Sequence, residues 1–212
     1  MMTDFDAFFN VDYWDQRYSE TGQVWSGEPN PVLVAEVAPL APGTALEVGC
    51  GEGADAMWLA GQGWQVTGVD FSAQALSRAA ERVPASLAER LRWQRADIRD
   101  WQPDDGPRYD LVSTSFLHFS GALRRRVFAT LATRVAPDGH LLIVGHHPSD
   151  LDTAMPRPPE PDLFYTADEL AQALPARDWE VRTRAARPRD ATTPDGTPVT
   201  IHDTVLTARR VQ

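Results

Sequence analysis

The stretch that most constrains this chain is Thr44-Ala-Leu-Glu-Val-Gly-Cys-Gly-Glu-Gly-Ala-Asp55. An apolar, strand-like run breaks into three closely spaced glycines, Gly49, Gly51 and Gly53. A helical pattern follows from Ala54 to Gln62. A second short strand, Gln65 to Val69, then ends on an acid, Asp70. Strand, glycine turn, helix and strand make a β-turn-α-β unit. Glycines let the backbone approach a ligand where a Cβ would clash. An acid at the tip of the following strand is placed to accept hydrogen bonds from ribose hydroxyls. The unit is therefore suited to an adenosine-bearing cofactor.

The flanking chain continues the alternation. Tyr13 to Tyr18 reads as a short helix within an aromatic-rich N-terminal segment that also holds Phe5, Phe8, Phe9 and Trp25. Pro29-Asn-Pro31 opens a helix over Val32 to Val37, since proline suits a first helical turn. Ser72 is an N-cap for a helix carrying Ala75, Leu76, Ala79, Ala80 and Val83 at helical spacing. Strands are expected at Leu91 to Arg95, Tyr109 to Ser113 and His140 to Gly145, with Pro103 to Pro107 a loop and Asp138-Gly139 a turn. Leu123, Val127, Leu131 and Val135 mark an amphipathic helix over 121–135, with Arg124-Arg-Arg126 on its solvated face. A proline-rich stretch, Pro148 to Pro161, is long for a connection and reads as a lid or substrate wall. Thr166-Ala-Asp-Glu169 fits a capping box. Residues 179–185 and 199–208 are strand-like, joined by a turn-rich loop containing Pro188, Pro194, Asp195 and Gly196. The fold class is α/β, a parallel sheet with helices on both faces.

Bulk properties narrow the function. A chain of 212 residues with 42% hydrophobic and 24% charged residues suits one full core. A net charge of −10, with no basic stripe, disfavours a nucleic-acid partner. All 20 basic residues are arginine, which excludes any lysine chemistry. Cys50 is the single cysteine, so no internal disulfide forms and a reducing, cytoplasmic setting is expected. No apolar run approaches a membrane span, and no signal-peptide pattern opens the chain.

The glycine spacing is G-x-G-x-G rather than the G-x-G-x-x-G of dinucleotide folds. Glu47-Val-Gly-Cys-Gly-Glu-Gly53 resembles the first motif of the class I S-adenosylmethionine-dependent methyltransferases. Val69-Asp70-Phe71-Ser72 resembles their second, and Ala96-Asp97-Ile98 their third. The resemblance covers about residues 40 to 147. It implies a Rossmann-like, seven-stranded, mostly parallel sheet with the last strand antiparallel. It also implies one domain over 1–212, with 1–40 an aromatic lid, 41–147 the cofactor core, and 148–212 a substrate loop and strand pair. By the same resemblance Glu47 and the turn Gly49, Cys50, Gly51 and Gly53 lie on the cofactor side. Asp70 takes the ribose hydroxyls, Phe71 lies against the adenine, and Ser72 belongs to that motif. Asp97 accepts from the adenine amino group, Ile98 offers its backbone, and Ser115 and Phe116 border the sulfonium. Cys50 is expected to be a small buried residue rather than a nucleophile, and Glu47 has a structural alternative as a strand residue capping nearby backbone.

The acceptor is less legible. His118 follows the fourth strand, and His146 and His147 follow the fifth, so all three are expected at the sheet end where ligands sit. They are candidates for a catalytic base or for orienting the substrate; as loop histidines they have a purely structural alternative. Missing cysteine partners make a metal site a poor fit. Tyr13-Trp-Asp-Gln-Arg-Tyr18 and Val24-Trp-Ser-Gly-Glu-Pro-Asn30 resemble the entry segment of methyltransferases related to thiopurine, halide/thiol and tellurite-type enzymes. That resemblance places Tyr13, Arg17 and Trp25 over the cofactor, unless they simply pack the helix on the sheet. The expectation is methyl transfer to a small molecule, without nucleic-acid or membrane partners, by a monomer or homodimer. A nicotinamide-dependent oxidoreductase and a non-catalytic cofactor-binding module are the alternatives.

Overall fold

The computed structural model describes residues 10–20, 22–103 and 106–211. Phe5, Phe8 and Phe9, and residues 104 and 105 of the expected loop, lie outside the described residues. Along the chain come α1 (Val11–Glu20), α2 (Pro31–Val37), β1 (Thr44–Val48), α3 (Ala54–Gly61), β2 (Gln65–Asp70) and α4 (Ala73–Arg82). They are followed by β3 (Leu91–Arg95), β4 (Tyr109–Ser115), α5 (Gly121–Thr133), β5 (Val135–His146), α6 (Ala167–Gln172), β6 (Trp179–Thr192) and β7 (Pro198–Arg210). The strands form one seven-stranded sheet in the order β3-β2-β1-β4-β5-β7-β6. Strands β1 to β5 pair in parallel, and β7 runs antiparallel to β5 and β6.

Successive strand residues point to opposite faces, and both faces are covered, so the central strands read as continuous apolar runs. Leu46, Val48, Leu141 and Ile143 pack on one side with Val127 and Leu131 of α5 and Leu170 of α6. Ala45, Leu142 and Val144 pack on the other with Leu33 and Val37 of α2 and Leu59 of α3. Ser72 caps α4 by accepting from the Ala75 N–H, and Thr166 and Glu169 complete the capping box of α6.

Some local expectations change. The helix expected over 121–135 ends at Thr133, and Val135 and Asp138-Gly139, the latter expected as a turn, lie within β5. Strand β6 runs on to Thr192, so Pro188 lies inside a strand, paired with His202 of β7, rather than in a loop. It is tolerated because β6 is the sheet edge, where a missing N–H leaves no ladder bond unmade. Arg124 is not solvated: it is buried, its guanidinium 4.9 Å from the Tyr165 ring centroid and bonded to the Asp162 carbonyl. Arg125 and Arg126 do face solvent. The proline-rich stretch holds short 3-10 turns at Pro148–Asp152 and Pro161–Leu163. Its anchor is the fully buried Asp150, which accepts from the His202 N–H at 2.8 Å and from Arg157 at 2.6 Å.

Candidate active site

The carboxyl ends of β1, β2, β4 and β5 open into a cavity of about 580 Å³. At one end lies the glycine turn. The N–H groups of Gly49 and Cys50 both donate to the Val69 carbonyl, at 2.8 and 3.1 Å, which ties the turn to the end of β2. Gly53 caps α3 with φ +81°, and a Cβ there would meet the Trp93 ring at 2.6 Å. Its place is thus set by helix-to-strand packing as well as by backbone conformation. Gly51, at φ +51°, sits directly beneath the Tyr18 hydroxyl. The buried Asp70 carboxylate accepts from the N–H groups of Gly51 and Ser72, each at 2.9 Å, and still faces the cavity with spare lone pairs.

The N-terminal segment closes over this turn. Trp25 donates from its indole N–H to the Tyr18 hydroxyl at 2.9 Å, and Trp14 lies 6.1 Å from both rings. The buried Glu52 carboxylate accepts from the Val24 and Trp25 N–H groups, each at 3.2 Å, while pairing with Arg78 at 3.2 Å. Asp15 of α1 accepts from the Ser72 hydroxyl on α4. The aromatic cover is therefore fastened by charge-assisted bonds as well as by ring contacts.

The other end is built from β4, β5 and the loops beyond. Phe116 follows β4 with φ +57°, a strained conformation for a side-chain-bearing residue. Its ring lies 4.7 Å from that of His146, which lies 5.5 Å from His118. Burial, then the positive charge of Arg157, pushes His118 down to about 4 and His146 to about 3, so both imidazoles are neutral near pH 7. Arg157 and Arg189 reach the same end. Arg189 forks onto Asp203 at 3.0 and 3.2 Å.

Of the residues singled out from the sequence, Trp25, Gly49, Cys50, Gly51, Gly53 and Asp70 line the cavity, as do Phe71, Asp97, Ile98, Ser115, Phe116, His118 and His146. Five others do not. Tyr13 makes an edge contact with Trp14, and Arg17 lies over the outer rings of Trp14 and Trp25. Glu47 is buried within the sheet, accepting from Ser113. Ser72 spends its hydroxyl on Asp15 and on the cap of α4. His147 caps the 148–152 turn and bonds Ser149 at 2.9 Å. Asp97 lines the cavity but is gripped by Arg99, with contacts of 2.9 and 2.5 Å. Burial would raise its carboxyl, yet these bonds and the Arg99 charge hold it low. Cys50 is a buried thiol, pushed up by burial and by neighbouring carboxylates, and is no nucleophile.

Residues not foreseen also line the site. Asp55, in the first turn of α3, accepts from the Asn30 N–H at 2.6 Å and from Ser115 at 3.4 Å. Asn30 caps α2 and donates to Ser115 at 3.3 Å. The clue to Asp55 was its position just past the third glycine. Nothing local marked Arg157, Arg189 or Asp203.

A family model described as a methyltransferase domain matches residues 45–139. Over those residues the chain carries a methyltransferase domain. It is 33% identical over 167 residues to trans-aconitate 2-methyltransferase of Paracidovorax citrulli, covering 76% of this chain and 57% of that protein. It is 27% identical over 135 residues to a probable thiol methyltransferase of Arabidopsis thaliana, covering 61% and 59%. The N-methyltransferase NodS of Bradyrhizobium japonicum, solved with S-adenosyl-L-homocysteine, superposes with a TM-score of 0.70 at 16% identity, covering 95% and 98% of the two chains. The chain spans 33% to 59% of the length of the first curated relatives it matches.

The methyltransferase cavity suits this cofactor chemically. Burial pushes the Asp55 and Asp70 carboxyls up, and it pushes Glu47 well up, with the Asp55 charge adding to it. A buried cluster of carboxylates with no cation paired to it among the described residues is what a positively charged ligand would relieve. S-adenosylmethionine carries both a sulfonium and an ammonium group. Asp70, with free lone pairs facing the cavity, also suits a pair of hydroxyls.

Proposed function

We propose that this methyltransferase moves a methyl group to a small-molecule acceptor. The observation that carries the reading is one cavity with two chemically distinct ends. One is acidic and glycine-lined; the other is aromatic and holds neutral imidazoles and guanidinium groups. When bound, S-adenosylmethionine supplies a methyl group on a positively charged sulfur. The protein's part is to hold, orient and exclude water, which suffices for an in-line displacement. Asp70 holds the ribose hydroxyls, Phe71, Ile98 and Asp97 border the adenine, and the Gly49–Gly53 turn carries the remainder. Glu47 and Asp55 bias that end toward a cation. Trp14, Tyr18 and Trp25, pinned by Glu52, keep water out.

His118 and His146 are assigned as hydrogen-bonding orienters rather than bases. An imidazole held near pH 4 or below is a weak proton acceptor at neutral pH. His147, turned to its own loop, takes no part. The reading extends to a reducing cytoplasmic setting, supported by the single buried thiol, and to a monomer or homodimer. A small acceptor is supported by the net charge of −10 and by the size of the cavity, about 580 Å³. The test is calorimetric titration with S-adenosylhomocysteine and with a nicotinamide dinucleotide, followed by labelled-methyl transfer to thiols, phenols, amines and carboxylates. Binding of S-adenosylhomocysteine alone, with label in one acceptor class, is the expected result. Nicotinamide binding without it would refute the reading.

A further inference from the structure

The acceptor end contains a cation with bonding capacity left over. Arg157 gives its Nη2 to Asp150 at 2.6 Å, but its buried Nε has no hydrogen-bond partner among the described residues. Asp150 offers nothing further to a ligand, because it is fully buried and its other oxygen accepts from the His202 N–H. Its role is to hold the guanidinium in place. Nδ1 of His146, 4.0 Å from Asp150, is also buried without a hydrogen-bond partner. Asp150 pairs with the guanidinium, but a buried donor nitrogen left without an acceptor is costly, so the arrangement favours a ligand that supplies one.

The charge around it points the same way. The carboxylates around this end are committed, Asp150 to Arg157, Asp203 to Arg189, and Asp55 to Asn30 and Ser115. The imidazoles of His118 and His146 add no charge and are poor bases, so an acceptor that must lose a proton here would find no efficient taker. An acceptor that arrives already ionised needs none.

We infer that the acceptor is a monoanion, a thiolate, phenolate or carboxylate, whose negative charge lies against Arg157 with His146 beside it. This rests on the methyl-transfer reading. The anion's lone pair forms the new bond to the methyl carbon, the carbon–sulfur bond breaks, and its electron pair stays on sulfur. A cation and an anion become two neutral groups, and no proton moves. Arg157 is thereby a specificity-determining residue, and Asp150 positions it.

The experiment uses the full chain saturated with S-adenosylhomocysteine, so that nothing turns over. Thiocyanate, 4-nitrothiophenolate and benzoate are titrated calorimetrically, with neutral 4-nitrothioanisole as the uncharged counterpart. At least one anion should bind saturably and about tenfold or more tighter than the thioether. Arg157→Met should erase that preference with S-adenosylhomocysteine affinity retained, and Arg157→Lys should keep most of it. No anion preference in the wild type, or one that survives Arg157→Met, overturns the inference while leaving methyl transfer standing. Failure of the wild type to bind S-adenosylhomocysteine overturns both.

Discussion

Replacing His118 by glutamine should make the folded protein less sensitive to acid. In an unfolded chain this imidazole titrates near 6.5, whereas in the folded protein burial, then the Arg157 charge, brings it to about 4. Between those values the unfolded chain binds a proton that the folded one refuses. The contribution to stability is therefore complete above about pH 6.5 and drains away as the pH falls toward 4. At 1.36 kcal/mol per pH unit the full gap is worth about 3 kcal/mol, and about 2.5 kcal/mol of it is lost by pH 4.5. Glutamine does not titrate, so urea unfolding of His118→Gln at about pH 7.5 and pH 4.5 should show a loss smaller by about that amount. His146 pulls in the same direction, but it is present in both proteins and largely cancels from the comparison. An equal acid-induced loss in the two proteins would refute the idea that His118 is held neutral by its surroundings.

Other consequences follow from single contacts. Asp70→Ala removes the cavity-facing acceptor and should weaken S-adenosylhomocysteine binding by about 2 kcal/mol or more, read by calorimetry; wild-type affinity would remove Asp70 from the ribose site. Glu52→Ala cuts the bonds to Val24 and Trp25, and limited proteolysis should then reveal new cleavage within residues 22–29 that the wild type resists. Gly53→Ala forces a Cβ against Trp93 in a left-handed conformation and should cost about 1–3 kcal/mol of stability in denaturant unfolding. Leu46→Ala, at the centre of one core, should cost about 2–5 kcal/mol by the same measurement.

Much of the cofactor end can be read in the chain itself, because its chemistry is local. The glycine turn, Asp70 at the next strand tip and the Ser72 cap all lie within one short β-turn-α-β segment, and short-range sterics and hydrogen bonding dictate them. The roles of Glu47 and Ser72 were harder to assign from sequence. A strand residue two positions before the turn points along the sheet to Ser113, and a serine after Asp70 is consumed by its own helix and by Asp15. A motif gives proximity in sequence, not the direction of a side chain.

The acceptor end was decided by tertiary structure. His118 and His146 come from different strand ends, and their pairing depends on β4 and β5 lying side by side. Arg157, Arg189 and Asp203 reach the same cavity from a loop and from both strands of the closing hairpin, and Asp150 does its work through a bond to His202. In sequence these arginines are ordinary members of a chain rich in arginine, and Pro188 signals a turn that the sheet edge overrides. The sequence alone therefore determined the sheet, its parallel core and the glycine turn, since these follow from periodicity and backbone freedom. Which charges meet beyond the turn, and which donors keep no acceptor, depends on how the loop after β5 and the closing hairpin fold onto the strand ends, as in the Asp150 bond to the His202 N–H 52 positions away, and only folding brings those together.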